Sequence, residues 1–287
     1  MKYLPAVFCL FFLLTPSVFS QSEIDFDSPT WLMMNSGIDA YNQGDFGGAL
    51  QYFRAVLEKE GTYPEADIWI GKVFEIDGEI QLAIKQYEKA LANSSQLEIL
   101  EQKYQILYEL AELYKTAGNN LKYEEKLQQI LDDDEIYASA DVQALMRVLK
   151  EKGFDSVIQL YRYQNDFSQS AHFQLGEFYF RSGRYLQAIE HCIFAVMYPF
   201  SKSISYIRDL DPVYAYENGA EFFKACRLYP ETVPYFSSSK LFEGMFFLGA
   251  SLYTAGEIGE AEYLWDLVSR FSQNNQLKEL IRSQSRN

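Results

Sequence analysis

The chain has 287 residues, and its 48% hydrophobic content excludes a wholly disordered protein. It carries 25 Lys and Arg residues against 40 Asp and Glu residues, a formal net charge of −15. A chain this acidic repels phosphate backbones, so we expect no nucleic-acid partner. The three cysteines and two histidines lack metal-ligand spacing, and we expect no metal or other cofactor.

The first 20 residues have the pattern of a cleaved secretory signal peptide. Lys2 supplies a positive start, and Tyr3–Leu14 forms an uncharged apolar run. This run is too short to cross a bilayer, which takes about 20 apolar residues. We expect cleavage after Ser20, export to a bacterial periplasm, a short linker over residues 21–30, and no membrane insertion of the mature chain.

Four segments of the chain share one pattern when they are aligned on an alanine. They read SGIDAYNQGDFGGALQYFRAVL (36–57), IGKVFEIDGEIQLAIKQYEKAL (70–91), LGEFYFRSGRYLQAIEHCIFAV (175–196) and LGASLYTAGEIGEAEYLWDLVS (248–269). Each has glycine at its second and ninth places, alanine at its fourteenth, and an aromatic residue or cysteine four residues later. The first two begin 34 residues apart, at residues 36 and 70.

The spacing predicts pairs of packed helices. Glycine inside a helix costs about 1 kcal/mol relative to alanine, so its repeated presence indicates a close helix–helix approach. In the third segment, Gly176 and Ala188 mark this crossing and Gly183 marks the end of the first helix.

These segments resemble the tetratricopeptide repeat, with its L-G-x-x-Y and A-x-x-x-F places. The resemblance implies an all-α, superhelical α-solenoid of about seven antiparallel helix pairs. Degenerate third and fourth repeats at 108–131 and 142–163 complete an N-terminal array over residues 31–165. A C-terminal array follows over residues 166–287 and ends in a capping helix at 275–287, which a solenoid needs for solubility.

Residues 199–241 do not fit the repeat. They hold four of the chain's eight prolines, and proline breaks helix interiors. We expect an irregular stretch with a single helix over residues 213–229. Two interpretations stay open: an irregular repeat with longer loops, or a lid over the groove of the solenoid.

The sequence contains no arrangement typical of catalysis. His172 lies at a repeat place where packing explains it, and His191 adjoins Cys192 on a different helix face. Cys192 and Cys226 are expected as two buried thiols, with a disulfide as the alternative. The acidic run 132–135 is interpreted as a solvated connector and not as a calcium loop. We expect a protein that is not an enzyme.

The resemblance implies that the first helix of each pair lines a concave groove. The groove candidates for partner binding are Tyr41, Phe173, Glu177, Phe180, Arg181, Phe246 and Tyr253. Met34 and Ile38 stand where some members of the family clamp a peptide carboxylate with polar residues, which argues against that binding mode.

The predicted function is a non-catalytic scaffold or adaptor of the cell envelope. Its partner would be an envelope protein or an extended peptide, including a membrane transporter or an assembly complex. The alternative is a small-ligand-binding partner of a solute transporter, in which residues 199–241 close the groove into a pocket.

Overall fold

The computed structural model describes residues 26–284, so the predicted signal peptide lies outside the described residues. Within them the chain forms helices and no strand. The α-helices are α1 (Thr30–Asn42), α2 (Phe46–Glu60), α3 (Pro64–Ile76), α4 (Ile80–Ala92), α5 (Gln102–Thr116), α6 (Asn120–Asp132), α7 (Glu135–Ala138), α8 (Val142–Lys152), α9 (Phe154–Leu160), α10 (Asp166–Arg181), α11 (Tyr185–Leu210), α12 (Gly219–Cys226), α13 (Thr232–Ser238), α14 (Leu241–Thr254), α15 (Ile258–Phe271) and α16 (Asn275–Gln284).

The predicted all-helical solenoid is confirmed. The successive pairs are α1–α2, α3–α4, α5–α6, α8–α9, α10–α11, α12–α13 and α14–α15, with the one-turn helix α7 between the third and fourth pairs. The last helix, α16, packs against α14 and α15 and caps the array. Over the part of the chain that the structure describes, no helix is both long and apolar enough to cross a membrane.

The repeated glycines lie where the helices of a pair touch. A Cβ atom at Gly176 would lie 2.5 Å from the Cys192 sulfur, and one at Gly37 would lie 2.6 Å from the Phe53 ring. Both distances are too short for any side chain. Gly183 ends the first helix with a φ of 74°, a left-handed conformation that favours glycine. The glycines therefore fix how closely each pair packs.

The predicted boundary at residue 165 needs correction. α6 packs directly against α10, so the repeat stack passes over the intervening elements. α9 instead packs against α11, and the backbone N–H of Phe154 donates to Glu260 on α15 at 2.9 Å. Lys150 on α8 also pairs with Glu257, at 3.1 Å. The degenerate fourth repeat therefore belongs with the C-terminal helices.

The prediction that the chain becomes irregular at Pro199 is also wrong. α11 continues through Pro199 to Leu210, a length of 26 residues. Proline cannot donate a hydrogen bond to the carbonyl four residues earlier, which belongs to Ala195. The buried Gln169 side chain donates to that carbonyl instead, at 3.1 Å. A side chain from α10 thus replaces the missing backbone donor.

The single helix predicted over residues 213–229 is shorter than expected. Only Gly219–Cys226 is helical, and the Asn218 side chain caps it by accepting from the N–H of Glu221 at 3.0 Å. Because α12 and the following α13 are short, this helix pair covers less of its neighbours than a regular repeat does. α12 packs against α15, and α13 packs against α11 and α14.

Candidate functional site

The candidate site is the face formed by the first helices α1, α3, α5, α10 and α14, which we call the first-helix face. The structure divides the predicted groove residues between two places on it. Tyr41 lies at the N-terminal end, on α1. The other predicted residues lie on α10 and α14, which pack against each other.

Phe247 is the centre of the C-terminal part of the face. The rings of Phe180 and Phe173 lie 5.5 Å and 6.2 Å from its ring, and the guanidinium carbon of Arg181 lies 5.8 Å from the ring centroid. The Phe246 ring is also close, at 5.4 Å. Aromatic contacts of this kind contribute to the packing of α10 against α14.

The burial of Phe173 and Phe246 contradicts the prediction that they contact a partner. Their exposed fractions are only 5% and 6%, so neither presents a surface to a partner. The backbone carbonyl of Phe246 accepts a hydrogen bond from the Trp265 indole at 3.3 Å, and Tyr253 packs its half-buried ring on Trp265 at 5.5 Å. Phe173 and Phe246 support the face from below.

Glu177 and Arg181 remain accessible. They form an ion pair of 2.7 Å one helical turn apart, with side-chain exposures of 28% and 67%. Such a pair stabilises a helix by only a few tenths of a kcal/mol. The two charges are therefore available to a partner at little energetic cost to the fold.

Trp69 occupies the corresponding place at the N-terminal end. The Tyr41 ring lies 5.1 Å from Trp69, and the Lys72 ammonium lies 4.4 Å above the Trp69 ring. Burial, and then Glu75 and Glu109, raise the pKa of the Tyr41 hydroxyl. Burial and the neighbouring Glu75 charge also raise the pKa of Glu109. This end of the face therefore brings Glu75, Glu109 and the Lys72 ammonium close to the two rings.

Sequence reasoning missed Trp69 and Phe247, although a signal was present. Each stands directly before the first residue of its aligned segment, at Ile70 and Leu248. The other two segments are preceded by Asn35 and Gln174, so an aromatic residue occupies this position in only two of the four copies.

Burial favours the neutral forms of the two histidines and the two cysteines. His172 and His191 face each other with their Nδ1 atoms 3.0 Å apart, and burial lowers the pKa of both, for His191 to about 4. Burial raises the pKa of the Cys192 thiol, and that of Cys226 to about 12. Both cysteines are free thiols. Within residues 26–284, no cluster of three or more His, Cys, Asp or Glu residues could hold a metal ion.

One residue of the acidic run departs from the solvated connector that we expected, because Asp132, Asp133 and Glu135 are exposed but Asp134 is not. Asp134 is fully buried and accepts hydrogen bonds from the Ser168 and Tyr163 hydroxyls and from the Asn165 amide. Its carboxylate also caps α7 by accepting from the backbone N–H of Tyr137 at 3.0 Å. Asp134 therefore joins the end of α6 to the start of α10.

The stacked helix pairs with close glycine crossings define a repeat protein built from helical hairpins. Comparison with protein families gives the same answer, because residues 34–98 match the model of the tetratricopeptide repeat. Residues 34–98 are therefore identified as tetratricopeptide repeats.

Two curated relatives are similar to this chain over much of its length. An uncharacterized protein of Treponema pallidum (strain Nichols) is 23% identical over 73% of this chain, and the match spans 58% of that protein's length. An uncharacterized protein of Borreliella burgdorferi (strain ATCC 35210 / DSM 4680 / CIP 102532 / B31) is 23% identical over 92% of this chain and 93% of its own length.

Solved structures are similar at lower identity. The MamA protein is 15% identical, with 85% of this chain and 92% of that chain covered and a TM-score of 0.46. YrrB, described as a TPR protein with an unusual peptide-binding site, is 12% identical, with 89% and 92% covered and a TM-score of 0.48. Likenesses at this level carry no inference about binding.

Proposed function

We propose that this chain is an exported, non-catalytic scaffold that holds a protein or peptide partner on its first-helix face. The observation that carries the proposal is the repeated aromatic centre of that face. At each end of the face a cation lies over an aromatic ring: Lys72 over the half-buried Trp69, and the exposed Arg181 over the buried Phe247. Aromatic residues and Arg dominate the binding energy of protein interfaces.

The fold supports this function by packing the helices of the face closely against their partners. Glycine crossings such as that of Gly176 against Cys192 bring the paired helices into close contact. A surface that is ordered before binding loses less entropy when the partner arrives. Tetratricopeptide repeats in general bind protein or peptide partners, and this chain has the geometry to do so.

The export part of the proposal rests on the sequence of residues 1–20. An exported chain meets envelope proteins, so the partner would be one of these or a peptide, including a transporter or an assembly complex. Mass spectrometry of the protein from its own cells tests this step. We expect a mature N-terminus at Gln21, and an intact N-terminus in the cytoplasmic fraction would contradict export.

Photo-crosslinking tests the binding face. The photoreactive residue replaces Arg181, whose side chain is 67% exposed, whereas Phe180 is half-buried. The matched control replaces Lys85, an exposed residue on the second helix α4. We expect a discrete protein adduct from position 181 and none from position 85. Equal adducts from both positions, or none from either, would contradict the proposed face.

The small-ligand alternative requires residues 199–241 to close over the groove. In the structure, residues 199–210 continue α11, α12 packs on α15, and α13 packs on α11 and α14. The segment thus extends the helix stack, and we place the scaffold function first.

A further inference from the structure

A cavity of about 300 Å³ lies where the short helices α12 and α13 meet the last repeat. α12 and α13 have eight and seven residues, while α14 and α15 have 14 each. The shorter layer cannot cover the start of α14 and the end of α15. The uncovered space is bounded on its far side by residues 272–274, which lead into the capping helix.

Phenylalanine rings form the wall of the cavity. Phe223 stacks on Phe242 at 5.3 Å and on Phe271 at 5.1 Å, and Phe236 meets Phe223 edge-on at 5.7 Å. A cavity of this size that combines an aromatic wall with polar groups has the properties of a small-molecule site, at the lower end of the usual volume range.

The mouth of the cavity carries one charge of each sign. The Arg227 guanidinium lies over the Phe271 ring at 5.6 Å. Its neighbours Lys224 and Arg270 are paired with Glu221 and Asp266, but Arg227 has no ion-pair partner within residues 26–284.

Glu243 also lines the cavity and accepts a hydrogen bond from the Asn274 side-chain amide at 3.3 Å. No cation of the described residues forms an ion pair with it, and it does not pair with Arg227. A purely anionic ligand would meet the Glu243 carboxylate, and a purely cationic one would meet the Arg227 guanidinium. A ligand with both charges can satisfy both groups.

We infer that this cavity binds a small zwitterion with a large apolar group, the chemistry of a free apolar α-amino acid. The apolar side chain occupies the phenylalanine-walled space, the ligand carboxylate meets Arg227, and the ligand ammonium meets Glu243. This site is separate from the predicted partner residues on the first-helix face and does not depend on the function proposed for that face.

Calorimetric titration of the mature protein with L-phenylalanine tests the inference. The comparison probes are 3-phenylpropionate, which lacks the ammonium group, 2-phenylethylamine, which lacks the carboxylate, and glycine, which lacks the apolar group. We expect saturable binding of L-phenylalanine below roughly 10 mM, as a ligand of this size allows, and binding of each comparison probe at least about tenfold weaker.

Three variants locate the binding. Arg227→Gln and Glu243→Gln each remove one charge, and each should weaken L-phenylalanine binding about tenfold. Val233 is 45% exposed at the cavity, so Val233→Trp should fill the cavity and abolish binding without a loss of helical circular dichroism. Arg54→Gln, an exposed charge change on α2, is the control and should leave binding unchanged.

Three results would overturn the inference. One is the absence of saturable binding of L-phenylalanine to the folded protein. Another is equal binding of 3-phenylpropionate or 2-phenylethylamine, which would show that one of the two charges has no role. The third is unchanged binding in folded Val233→Trp, which would place the ligand elsewhere.

Discussion

The two ends of this molecule build their cores differently. In α1–α6 the buried side chains fall into small separate clusters, such as the one around Phe53 and the one around Tyr87. From α8 to α16, one continuous cluster includes Phe154, Phe200 and Trp265. Each N-terminal cluster joins only neighbouring helix pairs, and a further cluster joins α5 and α6 to α10 and α11. The C-terminal cluster instead joins all the elements from α8 to α16 into one core.

The long helix α11 explains why the C-terminal cores merge. Every residue from 191 to 200 is buried, so α11 has no solvent-facing side along this stretch. A helix that is apolar all round needs packing partners on every side. The short helices α9, α12 and α13 supply rings for this purpose, including Phe154 and Phe222 around Phe200 at 5.3 Å and 4.5 Å.

The largest expected loss of unfolding free energy comes from the same Phe→Ala substitution in the core of each region. Phe200→Ala and Phe53→Ala each remove a fully buried ring, at a cost of about 3–5 kcal/mol. Phe200→Ala should destabilise all of α8–α16, while Phe53→Ala should lower protection only in the first two repeats. Urea unfolding with segment-resolved hydrogen exchange measures both. If Phe53→Ala lowered the protection of α14 and α15 as much as Phe200→Ala does, the proposed difference between the two regions would be contradicted.

The junction between the two regions is tested at Asp134. Asp134→Ala removes a buried carboxylate and leaves the hydroxyls of Tyr163 and Ser168 without this acceptor, which should cost about 2–3 kcal/mol. The adjacent Asp133→Ala is the control. Asp133 is 41% exposed and pairs with Lys103, so its loss should cost less than about 1 kcal/mol. Similar unfolding free energies for the two variants would refute the structural role of Asp134.

Mild acid should distinguish the two regions, because both histidines lie in the C-terminal one. Burial holds the pKa of His191 at about 4, below the ordinary 6.5, so the unfolded chain binds more protons between these values. Stability is therefore complete above pH 6.5 and falls as the pH drops towards 4. For His191 alone, the loss from pH 7 to pH 5.5 should be about 1 kcal/mol.

The surroundings of the histidine pair do not offset this effect. Glu190 accepts a hydrogen bond from Tyr137 at 2.7 Å, and Glu124 is paired with Arg184 at 2.9 Å. Glu124 raises the pKa of His191, but burial outweighs it. Urea unfolding of wild type and His191→Gln at pH 7 and pH 5.5 tests the sign. The variant should show the weaker pH dependence, and an equal dependence would contradict this origin.

The smallest expected effect on stability is at the binding face. Arg181→Ala should change the free energy of unfolding by at most about 0.5 kcal/mol, because its ion pair with Glu177 is exposed. The same substitution should lower the yield of a partner complex captured by crosslinking from a neighbouring position. A large stability loss, or an unchanged complex yield, would show that Arg181 is not a contact residue.

The sequence alone predicted the elements that repeat. Gly176 and Gly183 mark the helix crossing and the turn because only glycine fits a 2.5 Å approach or a φ of 74°. It could not predict that Pro199 lies inside a helix, since the compensating donor is Gln169, 30 residues earlier on another helix. The burial of Asp134 depends likewise on donors that follow it by about 30 residues.

The candidate site was predictable only in outline. The repeat register predicts that Arg181 lies on the face beside the helix crossing, and its side chain is 67% exposed, while its contact with a partner stays a prediction. It could not show that Phe173 and Phe246 are buried, because α14 covers α10 across the irregular segment that separates them in sequence.

Native-state hydrogen exchange of the wild-type protein, followed by mass spectrometry, tests most directly the claim that the two regions are built differently. The account predicts that α10, α11, α14 and α15 exchange together, through one opening with the highest free energy. It predicts that α1–α2 and α3–α4 exchange faster than these four helices and independently of them, as expected for nearest-neighbour repeats. One common exchange free energy for α1–α15, or earlier opening of α11 than of α2, would contradict it.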